Sequence, residues 1–163
     1  MPMIIGAVIF ATGCGGGLVA GWFAGVANQI TGSISGAFGP FDADLQVDAP
    51  NTATVREPFE IEVTITDTSG SSRTISTIDF NGDIADAVSI TAVSPAQSGL
   101  SSSPGWAEYN FYEPLDAYAT QTFVFTVSAN QPGTFTGSID VYMEDFQSDS
   151  RPITISVSAE SED

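Results

Sequence analysis

The sequence predicts an all-β antiparallel sandwich that is preceded by one N-terminal transmembrane α-helix. Residues 1–41 contain no Asp, Glu, Lys or Arg, and the apolar stretch from Met3 to about Ile30 is long enough to cross a hydrocarbon core about 30 Å thick. After Asp42, short runs of alternating apolar and polar residues are separated by turn residues, as in antiparallel sheets. We expect a transmembrane helix over 1–30, a linker over 31–43, a β-sandwich over 44–158 and an acidic tail over 159–163.

Four glycines mark one face of the expected helix, at every fourth position: Gly13, Gly17, Gly21 and Gly25. Each glycine costs a helix in water about 1 kcal/mol relative to alanine. In lipid an open backbone would leave its polar groups without partners, so the segment stays helical. Because residues four apart share a face, the glycines form three consecutive G-x-x-x-G units. This spacing favours close packing against another transmembrane helix, although glycine is also simply common in membrane helices.

The same stretch supports two other interpretations. Residues 11–14, Ala-Thr-Gly-Cys, resemble a bacterial lipobox, which implies lipidation of Cys14 after removal of residues 1–13. Position 11 holds Ala where a lipobox usually has Leu, and an ordinary buried thiol is the alternative for Cys14. The stretch is also similar to the N-terminal helix of archaeal type IV pilins and archaellins, but it lacks the basic residue and glycine that precede their processing site. That resemblance implies a filament-forming subunit.

The chain is strongly acidic. Twenty acidic residues stand against three basic ones, which gives a net charge of −17, and the chain has no histidine. Such a surface repels nucleic acid and anionic lipid headgroups, and it attracts a basic protein face or cations. Solubility or adaptation to high salt would produce the same composition.

The strands can be placed one by one. The clearest pattern is Phe59, Ile61, Val63 and Ile65, which alternate with Glu and Thr and therefore predict a strand with one buried face. Turns are expected at 68–72, at Asn81-Gly82 and at 130–133, and an irregular loop is expected at 95–105. The predicted strands centre on residues 45–48, 59–66, 73–80, 88–92, 106–112, 118–129, 135–141 and 153–157.

Three passages resemble the immunoglobulin-like modules of bacterial and archaeal surface proteins, of the CARDB and fibronectin III kind. They are the run from Ala49 to Thr66, the passage Tyr109-x-Phe111 to Pro114-Leu115, and Thr122 to Val127 followed by 132–137. The resemblance covers residues 44–158. It implies an immunoglobulin-like antiparallel β-sandwich that serves as a spacer, adhesion unit or assembly contact, and it brings no shared catalytic residues.

The residue types leave little room for catalysis. Histidine and lysine are absent and the only cysteine is Cys14, so the usual nucleophile and base pairs and zinc ligand sets are missing. Residues 79–83, Asp-Phe-Asn-Gly-Asp, alternate oxygen ligands, but the glycine stands fourth where an EF-hand has it sixth, and Ile90 replaces the final Glu. Glu144, Asp145 and Asp149 form a second acidic cluster without ligand spacing. We therefore expect no catalytic residue, no metal and no cofactor.

An aromatic cluster follows the serine-rich loop. Alternation places Tyr109 and Phe111 on one face and Asn110 and Tyr112 on the other. Trp106, Tyr109 and Tyr112 are candidates for a protein interface, where such rings are enriched, and core packing is the alternative.

These features together predict a non-catalytic, single-pass accessory or structural subunit of the cell membrane. Its glycine-rich helix would pack against transmembrane helices of other proteins or of a second copy. Its acidic β-domain would lie on the periplasmic or extracellular side and contact a protein, with a basic face, within a larger membrane complex. A respiratory or photosynthetic complex would suit this arrangement. The alternatives are a pilin- or archaellin-like filament subunit and a lipoprotein-type surface module.

Overall fold

Two β-sheets and one short helix make up residues 41–160, the part of the chain that the computed structural model describes. The strands are β1 (Ala43–Asp48), β2 (Thr52–Thr54), β3 (Pro58–Asp67), β4 (Arg73–Gly82), β5 (Val88–Ser94), β6 (Gly99–Ser103), β7 (Trp106–Leu115), β8 (Thr120–Ala129), β9 (Gly133–Met143) and β10 (Ser148–Ser158). The helix α1 (Asp83–Ala87) lies between β4 and β5.

The predicted membrane stretch falls outside the described residues. The expected transmembrane helix over 1–30, its glycines and the lipidation candidate Cys14 all lie there, as do most of the linker and the end of the acidic tail. Within residues 41–160, no helix has both the length and the apolar character needed to span a membrane. The expected boundaries of anchor, linker and domain therefore stay predictions.

The strands form a sandwich of a four-stranded and a six-stranded sheet. The four-stranded sheet has the order β1-β3-β8-β5, and the six-stranded sheet has the order β2-β10-β9-β4-β7-β6. Neighbouring strands pair antiparallel, with the exception of β2, which runs parallel to β10. All eight predicted strands are present, and this confirms the prediction of an antiparallel β-sandwich.

The core lies between the inner faces of the two sheets, where alternate residues of each strand meet. Phe125 of β8 is at its centre, with ring centroids 5.0 Å from Phe80, 5.4 Å from Tyr109 and 6.1 Å from Phe111, in edge-to-face arrangements. Edge-to-face aromatic pairs contribute about 0.5–1.5 kcal/mol beyond the area that they bury. These rings therefore join strands of both sheets in one apolar cluster.

Two expectations about turns and loops were wrong. Residues 95–105 contain the strand β6, which pairs with β7 in a register from Gly99 opposite Asn110 to Ser103 opposite Trp106. Most of its side chains are exposed, so its sequence carries no alternation of apolar and polar residues. Asn81 and Gly82 do not form a hairpin turn, because β4 continues through them and leads into α1.

Close contact between β4 and β9 explains the two glycines at this point. Gly82 has a φ of 85°, a conformation that glycine adopts without strain. Its partner across the ladder is Gly137, where a Cβ atom would overlap the carbonyl oxygen of Asn81 and the side chain of Ile84. The chain can therefore turn into α1 only because both positions lack a side chain.

At one end of the sandwich, ion pairs of Arg73 connect several segments of the chain. The Arg73 side chain is 10% exposed and lies 3.2 Å from Asp42, 3.6 Å from Asp67 and 3.5 Å from Asp145. Asp67 is buried and accepts hydrogen bonds from the backbone N–H groups of Tyr118 and Gly70, at 3.0 and 2.9 Å. The bond from the Tyr118 N–H is the largest cause that lowers the pKa of Asp67 to about 2. The stabilisation that this carboxylate provides is therefore present above about pH 4 and is lost as the pH falls toward 2.

Replacement of Phe125 by alanine should lower the free energy of unfolding by about 3–5 kcal/mol, because it leaves a cavity where both sheets meet. Phe146→Ala removes the same ring from a side chain that is 75% exposed, and it should change stability by less than about 0.5 kcal/mol. Urea denaturation followed by circular dichroism measures both values. Similar losses in the two variants would contradict the central position of Phe125.

Replacement of Arg73 by methionine should lower the thermal unfolding midpoint markedly, because Asp67 would stay buried without an opposite charge. Arg56→Met is the matched control, since Arg56 is exposed and its contact with Glu160 is 3.7 Å long. Differential scanning calorimetry of both variants makes the comparison. A midpoint for Arg73→Met as high as that of Arg56→Met would refute the role of this ion cluster.

Candidate functional site

Three carboxylates lie side by side on the outer face of the six-stranded sheet. Asp79 of β4 pairs across the sheet with Glu108 of β7 on one side and with Asp140 of β9 on the other. Since neighbouring strands lie about 4.8 Å apart, these residues form a line about 10 Å long, which we call the acidic row. Like charges directly opposite each other destabilise a sheet. The fold therefore keeps the acidic row at the expense of stability.

The central carboxylate is buried and incompletely bonded. Asp79 is 5% exposed, and its Oδ2 accepts a hydrogen bond of 3.1 Å from the indole Nε1–H of Trp106. Its Oδ1 is buried and has no donor at hydrogen-bonding distance and angle in the described part of the chain, and the Thr77 hydroxyl is close enough only to lower the pKa of this carboxyl slightly. Burial, followed by the charges of Glu108 and Asp140, raises the pKa of Asp79 to about 6.

The two flanking carboxylates are held by neutral donors. Asp140 accepts one bond from Asn81 Nδ2 at 2.9 Å and another from the Ser150 hydroxyl. Glu108 accepts a bond of 3.2 Å from Asn110 Nδ2. The ion pairs of the arginines within residues 41–160 involve other acids, so none of them neutralises the acidic row. Its negative charge is thus available to a ligand.

A groove of about 560 Å³ borders this row along β4 and β9. Three carboxylates line it, those of Asp79, Glu108 and Glu144, together with the rings of Tyr142 and Phe146. Tyr142 is partly exposed, and its pKa is raised by burial and by the neighbouring carboxylates. Carboxylates attract a cation by charge, and aromatic faces attract it through their quadrupole. The groove is therefore suited to a cationic group.

The structure separates the three aromatic residues proposed as an interface. Tyr109 is 6% exposed and packs in the core, so it takes no part in an exposed rim. Tyr112 is 58% exposed, and Trp106 is half-buried against Asp79. The predicted alternation of inward Tyr109 and Phe111 with outward Tyr112 is confirmed. A partner contact at Trp106 and Tyr112 stays a prediction.

The acidic segments considered from the sequence have separate places in the fold. Asp79 lies within β4 and Asp83 begins α1, so residues 79–83 do not form a ligand loop. In the second cluster, Asp145 contacts Arg73 and Asp149 contacts Arg151. Within residues 41–160, no three His, Cys, Asp or Glu side chains are grouped so that they could hold a metal ion.

Sequence reasoning missed the acidic row and the ring of Phe146. The members of the row are far apart in the chain, and they become neighbours only through the pairing of β4 with β7 and β9. The one available signal was Asp79 itself, an acid between the apolar residues Ile78 and Phe80, both of which are buried. An acid between two core residues indicated that this side chain lies on the outer face of a sheet.

The fold of residues 41–160 can be compared with known proteins, although no protein-family model and no curated protein sequence matches this chain. The cohesin module of a Clostridium perfringens family 33 glycoside hydrolase is similar at a TM-score of 0.51, with 11% identity over 72% of this chain and 98% of that module. The CARDB domain of a Pyrococcus furiosus protein, in complex with di-metal ions, is similar at a TM-score of 0.50, with 13% identity over 74% and 91% of the two chains.

The domain has an immunoglobulin-like sandwich fold. This confirms the resemblance to CARDB modules that the sequence indicated. At these identities the similarity shows the fold alone, and the metal ions are a property of the Pyrococcus furiosus domain.

Replacement of Asp79 by asparagine should stabilise the domain at pH 7 by roughly 1–2 kcal/mol, because it removes a charge whose burial is unfavourable. This gain is smaller than the full shift in the pKa of Asp79 would give, since solvent that reaches the groove screens the charge. Between about pH 4 and about pH 6 the folded chain binds this proton more tightly than the unfolded chain does, so stability declines as the pH rises through that window. The variant should lack this decline.

Denaturation curves at pH 4, 5, 6 and 7 test this expectation. Glu60→Gln is the control, because it makes the same change of charge at an exposed position of β3 in the other sheet. If Asp79→Asn and the unaltered chain lose stability in parallel across this range, Asp79 does not titrate as described.

Proposed function

We propose that this chain is a non-catalytic protein-binding subunit whose acidic row contacts a basic surface of a partner. The observation that carries the proposal is the uncompensated charge on the outer sheet face, where Asp79, Glu108 and Asp140 lie next to one another. The arrangement costs folding free energy, since like charges repel and a buried acceptor lacks a donor. A basic partner would supply both the opposite charge and the donors.

The composition supports a role in binding. With no histidine and no lysine, the chain lacks imidazole bases and amine nucleophiles, which leaves carboxylates as its main acid–base groups. The net charge of −17 favours association with a positively charged protein face and speeds its approach. Both similar structures, a cohesin module and a CARDB domain, are named as parts of larger proteins, which agrees with a modular role.

The subunit is held at the cell membrane by the apolar stretch of residues 1–30. The uncharged sequence and the four-residue spacing of Gly13, Gly17, Gly21 and Gly25 support a helix that packs against transmembrane helices of other proteins or of a second copy. The acidic domain lies on the periplasmic or extracellular side, as an accessory component of a larger membrane complex.

Gentle detergent extraction from the native membrane, native gel separation and mass spectrometry test this function. We expect the chain to migrate at full-length mass with other membrane proteins. A band of this chain alone would point to the pilin-like filament instead, and a mass that starts at a lipidated Cys14 would replace the transmembrane anchor with a lipid anchor.

Charge reversal tests whether the acidic row forms the contact. The double variant Glu108→Lys with Asp140→Lys should lose its co-migrating partner, because two acids of the contact become basic. The double variant Glu60→Lys with Glu62→Lys is the control, since it makes the same change at exposed positions of β3 on the other sheet. Loss of the partner in both variants would show that only net charge matters, and retention in both would place the contact elsewhere.

A further inference from the structure

We propose that the groove beside the acidic row binds the guanidinium group of one arginine side chain of the partner protein. Asp79 and Glu108 would accept its hydrogen bonds, and the rings of Tyr142 and Phe146 would lie beside it. This inference rests on the proposed function and goes further, because it names the group that anchors the partner.

One carboxylate oxygen of Asp79 lacks a hydrogen-bond donor in the described part of the chain. A buried acceptor without a donor is rare in folded proteins, and it costs free energy unless a water molecule or a ligand supplies the missing bond. Asp79 Oδ1 is such an acceptor within residues 41–160, and Asp79 lines the groove. A hydrogen-bond donor that enters the groove is therefore placed next to this carboxyl.

The arrangement of the carboxylates decides the kind of donor. A calcium ion needs six or more oxygens at about 2.4 Å around one point. The acids here follow a line across adjacent strands, and within residues 41–160 no group of three is placed to hold a metal ion. A guanidinium presents five N–H donors in a plane and can bond to carboxylates along such a line. Its delocalised charge is also less strongly hydrated than that of an ammonium group, so it enters a half-buried groove more easily.

The aromatic side chains point to the same ligand. Phe146 is 75% exposed in the turn between β9 and β10, where its N–H donates to the carbonyl oxygen of Met143 at 3.1 Å. Tyr142 is partly exposed and lines the same groove as Phe146. An arginine side chain stacks on such rings while its N–H groups bond to acids in the plane of the guanidinium. The groove therefore offers both contacts that an arginine uses.

Binding of this cation should depend on pH. Glu108 on β7 and Asp140 and Tyr142 on β9 are the titratable groups that face Asp79, and Glu144 in the following turn lines the same groove. The guanidinium binds the ionised form of Asp79, so binding releases the proton that this carboxyl holds below about pH 6. Affinity should therefore be higher at pH 7 than at pH 5.

Titration of the full-length chain in detergent with Nα-acetyl-argininamide tests the inference. The NMR signal of the Trp106 indole N–H reports on binding, because this group is bonded to Asp79. Nα-acetyl-argininamide should shift the signal in a saturable manner, and Nα-acetyl-citrullinamide, in which a neutral ureido group replaces the guanidinium, should not. Asp79→Asn should weaken binding roughly tenfold, because it removes a charge-assisted hydrogen bond. Phe146→Ala should weaken it roughly threefold, and Glu60→Gln should leave it unchanged.

Equal shifts with Nα-acetyl-citrullinamide, or equal affinity in Asp79→Asn, would overturn the arginine site. The two proposals can fail separately. If Asp79→Asn keeps the partner in the native gel while the double variant Glu108→Lys with Asp140→Lys loses it, the acidic contact stands and the arginine anchor fails.

Discussion

The packing of Phe80 against Phe125 joins the two sheets, and the position of the acidic row depends on it. The ring centroids are 5.0 Å apart, with β4 in one sheet and β8 in the other. Because side chains alternate along a strand, burial of Phe80 and Ile78 turns Asp79 to the outer face. A shift of β4 by one residue would exchange the two faces and place the carboxylate in the core. The apolar interior therefore fixes where the charge appears.

Two buried aspartates of this domain have opposite environments. Asp67 accepts hydrogen bonds from the Tyr118 N–H, the Ser69 hydroxyl and the Gly70 N–H, which lower its pKa to about 2. Asp79 receives one indole N–H, has acids on both sides, and its pKa lies near 6. The first environment stabilises the ionised carboxylate, which helps to connect the segments at one end of the sandwich. The second leaves a carboxylate that a cation would stabilise, and the proposed binding site rests on this contrast.

The sequence was sufficient for the fold class and for most of the strands, because strands with one buried face carry an alternation that can be read directly. Residues 59–65 are the clearest case, and their buried positions agree with the prediction. The strand β6 could not be found in this way, since its residues are small and exposed and its order comes from backbone pairing with β7. The acidic row could not be predicted from the sequence either, because it depends on which strands become neighbours in the six-stranded sheet.

The strand β6 forms one edge of the six-stranded sheet, and no strand of residues 41–160 covers its outer side. Its residues, Gly-Leu-Ser-Ser-Ser, include none of the charged or proline residues that usually protect an exposed edge from pairing with another chain. The net charge of −17 supplies protection of a different kind, because two copies repel each other as they approach. That repulsion is screened within about 10 Å at 0.1 M salt and within about 3 Å at 1 M salt. Any pairing of two copies through this edge should therefore increase with ionic strength, because salt weakens the repulsion between them.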